Sequence, residues 1–151
     1  MENFDAINKY GSVFLTKIYE PDENELLLEV KRSMASELAV DVQVGDKILS
    51  GCHEVTIDES SAYFTISFIN YVSYHVINES YANYNPNEEF ISGDYGTFCI
   101  FQKSAYMNFV LNQTFANDMY PGELIHYGLF AANHIVHVIS KRKPKIVIHN
   151  N

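Results

Sequence analysis

Tryptophan is absent from these 151 residues, cysteine occurs twice, proline four times and glycine seven times. Each shortage excludes something. Cys52 and Cys99 are widely separated and neither belongs to a CxxC pair, so a dense disulfide framework and a cysteine zinc ribbon are both ruled out. They read as two reduced, half-buried thiols in a reducing compartment. The scattered glycines form no phosphate-cradling loop. Long apolar runs are missing too. The densest stretch, Tyr63 to Ile77, is broken by Thr65, Ser67, Asn70, Ser73 and His75, whereas a membrane-crossing helix needs roughly 20 apolar residues. Met1-Glu2-Asn3-Phe4-Asp5 carries acids where a secretory leader would carry Lys or Arg. The expectation is a cytoplasmic protein with no membrane segment.

Basic residues are the remaining scarcity. Between Ile48 and Ser140 there is one, Lys103, against nine acids: Glu54, Asp58, Glu59, Glu79, Glu88, Glu89, Asp94, Asp118 and Glu123. That span holds −8 of the formal net charge of −9. The basic cluster is Lys141-Arg142-Lys143-Pro144-Lys145, too short on so acidic a chain to make a nucleic-acid binder. A field of this sign repels nucleic acid and attracts basic partners.

What is present is the material of one packed domain, residues 1–151. Hydrophobic residues make up 47% and charged ones 19%, with eleven Tyr and ten Phe. A chain of this length buries roughly 70% of its unfolded surface, so it needs no disulfide or metal staple. Turn signals recur about every ten residues, the rhythm of a β-rich fold. Val13 to Tyr19 and Glu25 to Arg32 read as strands joined by Pro21-Asp22-Glu23-Asn24. Ser33 to Leu38 reads as a short helical turn, and Ile48 to Ile57 as a strand kinked at Gly51. Phe64, Ile66 and Phe68 alternate with polar or amphipathic neighbours, the period of a half-buried strand, and Tyr71 to Asn78 continues it.

Thr97 to Phe101, Leu124 to Ala131, Ile135 to Ser140 and Ile146 to Ile148 follow as strands, with a hairpin around Asn133. Ser104 is a good N-cap, and Tyr106, Phe109 and Val110 make the apolar stripe of a helix near 104–115. About eight strands and one helix give an α+β fold, mainly antiparallel. It would be a strongly bent sheet or two packed sheets, with the helix over one opening.

Catalytic motifs are weak. Cys52-His53-Glu54 sets a thiol beside a base, but adjacent side chains on a strand point apart. His134 and His137 are three apart, which on a strand places them on opposite faces and spoils a shared metal site. No cofactor and no metal are expected. Binding chemistry is stronger. Tyr71, Tyr74, Tyr81 and Tyr84 are interspersed with Glu79, Glu88, Glu89 and Asp94, which pairs aromatic anchors with charges that complement a basic surface. The alternative is a small-molecule pocket or enzyme site lined by His75, His126 and His134. Oligomeric state stays open, with a homodimer among the alternatives through edge pairing at Ile146-Val147-Ile148.

Three stretches carry a resemblance. They are Ile66 to Tyr81 (ISFINYVSYHVINESY), Lys103 to Val110 (KSAYMNFV) and His126 to Ile139 (HYGLFAANHIVHVI). In these the chain resembles the small single-domain immunity proteins that bacteria encode beside polymorphic secreted toxins. The resemblance implies a non-enzymatic, antitoxin-like protein that binds and blocks one toxin; the negative charge of the chain points to a basic, nuclease-type one. It transfers no catalytic residue, and His137 stands where such proteins would carry an acid. Asn78-Glu79-Ser80-Tyr81 and His126-Tyr127 are the segments it singles out.

Overall fold

The computed structural model describes residues 2–93 and 96–149. Strand β1 (Val13–Asp22) pairs antiparallel with β2 (Glu25–Arg32), and the turn between them needs Asn24 at a φ of 59°, a left-handed value asparagine tolerates. β3 (Met34–Val44) and β4 (Lys47–Thr56) form a separate two-stranded sheet. β5 (Tyr63–Ile69) returns to β2, and β6 (Tyr71–Asn78) crosses to a second sheet. A single 3-10 turn, Glu79–Tyr81, and a loop lead to β7 (Glu89–Ser92), β8 (Phe98–Lys103) and a helix at Ala105–Gln113. β9 (Ile125–Phe130), β10 (His134–Ser140) and β11 (Lys145–His149) complete the strands. A further helix, α1 (Glu2–Lys9), precedes them all; the one after β8 is α2.

The result is two packed antiparallel sheets, in the orders β1-β2-β5-β11 and β6-β10-β9-β8-β7. Alternation decides what lies between them. Val13, Leu15, Leu26, Leu28, Val30, Phe64, Ile66 and Phe68 come from the first sheet, and Phe98, Tyr127, Leu129, Val136 and Val138 from the second. Their burial in one continuous core is the main stabilising term. Two asparagines lock the layers together. The Asn133 side chain pairs with both the N–H and the C=O of Leu15, at 3.0 and 2.9 Å. Asn8 of α1 does the same to Phe98, at 2.9 and 2.8 Å.

Three expectations change. Ser33 to Leu38 is not a helical turn: Met34 begins β3, whose valines at 40, 42 and 44 alternate and whose backbone finds its partners on β4. The strands number eleven among the described residues, β7 being hidden in a short Glu89–Ser92 segment. The helices among the described residues number two, because α1 is only eight residues long and is held by tertiary contacts of Phe4, Ile7 and Asn8 more than by its own periodicity. No helix among the described residues is long and apolar enough to cross a membrane.

Candidate functional site

The Tyr and Glu segment divides along its length. Tyr71 and Tyr74 lie on β6, half-buried and packed against the core, with ring centroids 5.3 Å apart. The Tyr71 hydroxyl donates to Glu20 at 2.6 Å, and this bond, helped by burial, pushes its pKa up to about 12. Beyond β6 the chain turns outward. Asn78 caps the 3-10 turn by accepting the Ser80 N–H at 3.1 Å, which presents Glu79 and Tyr81 to solvent. Tyr81 is 84% exposed and Tyr84 64%. Glu88 is half-buried and accepts the Ala105 N–H at 2.8 Å, placing a carboxylate at the positive end of α2. Glu89 is exposed and lies 3.9 Å from Lys103. Asp94 falls outside the described residues. Glu79, Tyr81 and Tyr84 are therefore exposed on the segment after β6, and Glu89 at the start of β7, while Tyr71 and Tyr74 serve the interior and Glu88 the helix.

The wider acidic field stays at the surface. Glu54, Asp58, Glu59, Glu79, Glu89, Asp118 and Glu123 are all exposed. Lys141 of the basic cluster donates to the Pro121 carbonyl.

The outer face of the five-stranded sheet carries different chemistry. Register places His75 of β6 opposite His137 of β10, His137 opposite Gly128 of β9, and Phe101 of β8 opposite His126. Three histidines thus meet beneath α2. His126 Nε2 lies 2.8 Å from His137 Nδ1, and His126 Nδ1 lies 2.6 Å from the Ser104 hydroxyl. Ser104 also caps α2 by accepting the Met107 N–H at 2.8 Å. His75 packs edge-on against Tyr106 at 4.1 Å and tilts over His137 at 4.7 Å. Tyr106 in turn shares a hydrogen bond of 2.8 Å with Ser73. The imidazole of His126 stacks on Phe101 at 4.0 Å.

Desolvation dominates the electrostatics of this cluster. It drives His126 down to about 3 and His137 down to about 4, with the neighbouring histidines adding repulsion against any charge. Burial lowers His75 as well, opposed by the Glu88 carboxylate. The imidazoles are therefore neutral at physiological pH. Two proton arrangements satisfy the Ser104–His126–His137 chain, one running toward His137 and one running away from it. The Nε2 of His75 is buried without a hydrogen-bond partner. No group of three or more His, Cys, Asp or Glu side chains among the described residues is disposed to hold a metal ion.

A crevice of about 70 Å³ opens beside His137, walled by Tyr84, Glu88, Phe90, Phe101 and Phe130. His134 does not reach it. It pairs with Asn78 at the start of β10, with the odd-numbered spacing to His137 turning it to the opposite face. Cys99 is buried on β8, opposite Gly128, and burial raises its thiol to about 12, so it stays protonated. Cys52 and His53 point apart, to the Leu49 and Ser36 carbonyls respectively. A wider cleft, of about 690 Å³, lies elsewhere, between Asn70 and Tyr71, the Thr114–Ala116 segment and Lys141-Arg142.

Ser104, Tyr106 and His137 are members of the cluster that the sequence did not nominate as site residues. Ser104 is recognisable from sequence only as a helix cap. His137 is recognisable only once β6 and β10 are known to pair. Compared with family models, curated proteins and solved structures, the chain gives no match.

Proposed function

We propose that this chain is a non-enzymatic acidic binding protein that blocks a basic protein partner, of the kind a nuclease-type toxin would present. The observation that carries the reading is the exposure of Glu54, Asp58, Glu59, Glu79, Glu89, Asp118 and Glu123 in a span holding one cation, Lys103. Carboxylates left in water keep their charge and cast a negative field that speeds encounter with a basic surface. Tyr81 and Tyr84, exposed beside Glu79, supply broad contact area at low cost in side-chain entropy. The toxin-immunity resemblance of the β6, α2 and β9–β10 segments points the same way.

The test is the product of the neighbouring gene, purified and titrated against this chain. It should be basic, and its association rate should fall at least about tenfold between low and roughly 0.3 M salt. An acidic product, or a rate indifferent to salt, overturns the reading.

The histidine cluster favours a second reading, a small-molecule site at the crevice beside His137. Its volume is well below the roughly 300–1,000 Å³ of ordinary ligand pockets. Histidines held near 3 and 4 are also poorly matched to base catalysis at neutral pH. A crystal soak that placed a small polar molecule against His137 and Glu88 would support this alternative. A crevice holding only water would remove it.

A further inference from the structure

The β3–β4 hairpin leaves a long run of apolar side chains uncovered. Every residue of β3 except Ser36, and every residue of β4 except Cys52, is exposed. The two strands pair with each other and with neither main sheet. At eleven residues the longer one reaches about 36 Å. An isolated hairpin of this kind is marginal in water and calls for a covering surface.

Its two faces differ. The register pairs Met34 with Thr56, Val40 with Cys52, Val42 with Leu49 and Val44 with Lys47. Gly51, at a φ of 74°, lies in a bulge that sets Leu49 on the same face as Cys52. Alternation from Cys52 adds Glu54. One face is therefore Met34, Val40, Val42, Val44, Leu49 and Cys52, with Lys47 near the tip and Glu54 near the base. Asp41, lying between Val40 and Val42 in the alternation, belongs to the other face, and its carboxylate accepts the Gly51 N–H at 3.3 Å. Val40, Val42, Val44 and Leu49 are 41 to 57% exposed, as expected of an uncovered sheet face.

We infer that this face is covered by the same face of a second copy of the chain, the two arms stacked antiparallel about a two-fold axis. The charge pattern selects this occupant. Under such an axis, passing between Leu49 and Cys52, Lys47 of each copy meets Glu54 of the other, and the valines and Leu49 interleave. The remaining arm acids do not oppose it: Asp41 faces outward, Asp46 belongs to the tip turn, and Glu37 falls in the irregular stretch between Ala35 and Ala39. Isologous packing of this sort is the commonest form of protein association. Two faces of about 36 by 10 Å bury roughly 700 Å² in total, below the roughly 1,000 Å² of a tight specific interface, so the dimer should be weak, forming only toward the upper end of about 10–300 μM.

Sedimentation equilibrium of the intact chain, across roughly 1 to 300 μM, tests this directly. The expected result is a monomer–dimer equilibrium. Val42→Lys combined with Leu49→Lys should leave the chain monomeric throughout, with circular dichroism unchanged because the arm lies outside the core. Lys47→Glu and Glu54→Lys should each weaken the dimer about five- to thirtyfold, and the double reversal should restore it. A thiol-to-thiol maleimide cross-linker should trap dimers through Cys52, and Cys52→Ser should abolish them. A monomer at every concentration, or a dimer indifferent to the Val42 and Leu49 lysines, overturns the inference. A dimer that fails to recover on double reversal overturns the antiparallel arrangement. An arm that stays monomeric and binds the basic partner instead would show that the partner is what covers this face.

Discussion

Hairpins β3–β4 and β9–β10 are built alike and end in opposite surroundings. Both are antiparallel pairs joined by a short turn, and β3 and β10 each place valines at alternate positions. In β10, Val136 and Val138 are 0 and 1% exposed and face the core, while His137 and Ile139 turn to the α2 side and are buried there as well. In β3 the equivalent valines remain in water. Periodicity settles which residues share a face. It does not say whether anything lies against that face, which depends on the rest of the chain and on partners.

The largest expected effect falls inside the sandwich. Phe64 is fully buried, its ring 5.2 Å from Tyr10 at a steep angle and its neighbours drawn from both sheets. Phe64→Ala should lower unfolding free energy by about 3–5 kcal/mol, through lost transfer energy and the cavity left behind. Urea denaturation measures it. A loss under about 1 kcal/mol would mean that the two sheets are not one cooperative core.

Acid should find the histidine layer next. His126 and His137 are held neutral in the fold, whereas the unfolded chain takes up protons below about pH 6.5. Protons therefore favour the unfolded state. Stability from this source is complete above about pH 7, falls as pH passes through 6.5, and goes on falling to about pH 4 for His137 and about pH 3 for His126. The loss between about pH 7 and pH 5 should be near 2 kcal/mol for each histidine that must stay neutral. His126→Gln with His137→Gln should flatten that slope. An unchanged slope would show that the cluster is wetter than its burial implies.

Gly128 gives a smaller effect on the same face. A methyl there would stand 2.8 Å from the Phe101 ring and 2.9 Å from the Cys99 sulfur. Gly128→Ala must displace one of them and should cost about 1–3 kcal/mol in thermal unfolding. If the variant is neutral, the ring and thiol have room to yield, and the outer layer is looser than the inner one.

The same contrast explains what was legible in the residues. β5 could be read because Phe64, Ile66 and Phe68 alternate without interruption, and α2 because Ser104 caps a clear apolar stripe. The two-sheet alternative follows from them. Ser33 to Leu38 does not look like a strand because the register shift between Ala35 and Ala39 breaks the alternation of β3 there. The binding segment was half legible. Glu79, Tyr81 and Tyr84 follow a cap at Asn78 and reach solvent, but nothing local tells Tyr71 and Tyr74 that a core lies behind them. The histidine layer is the least accessible. His75, His126 and His137 come together only through the β6–β10–β9 register, a property of pairing between distant segments, and His134 faces the other side of β10.

The smallest expected effect is the one that tests the contrast most directly. Val42→Thr exchanges a methyl for a hydroxyl at a half-exposed arm position, in a side chain of similar shape. Measured on dilute protein, where the arm is uncovered, it should change stability by no more than about 0.5 kcal/mol. The same exchange at Val136 would bury a hydroxyl in the dry core and should cost about 1–3 kcal/mol. Hydrogen exchange gives an independent view, because arm amides are protected only by their own ladder while those of β9 and β10 open with the whole domain. Arm amides should exchange early in dilute protein and slow as concentration rises. Equal protection of both hairpins at low concentration would mean that the arm is anchored to the body after all, and the distinction between covered and uncovered strands would fall.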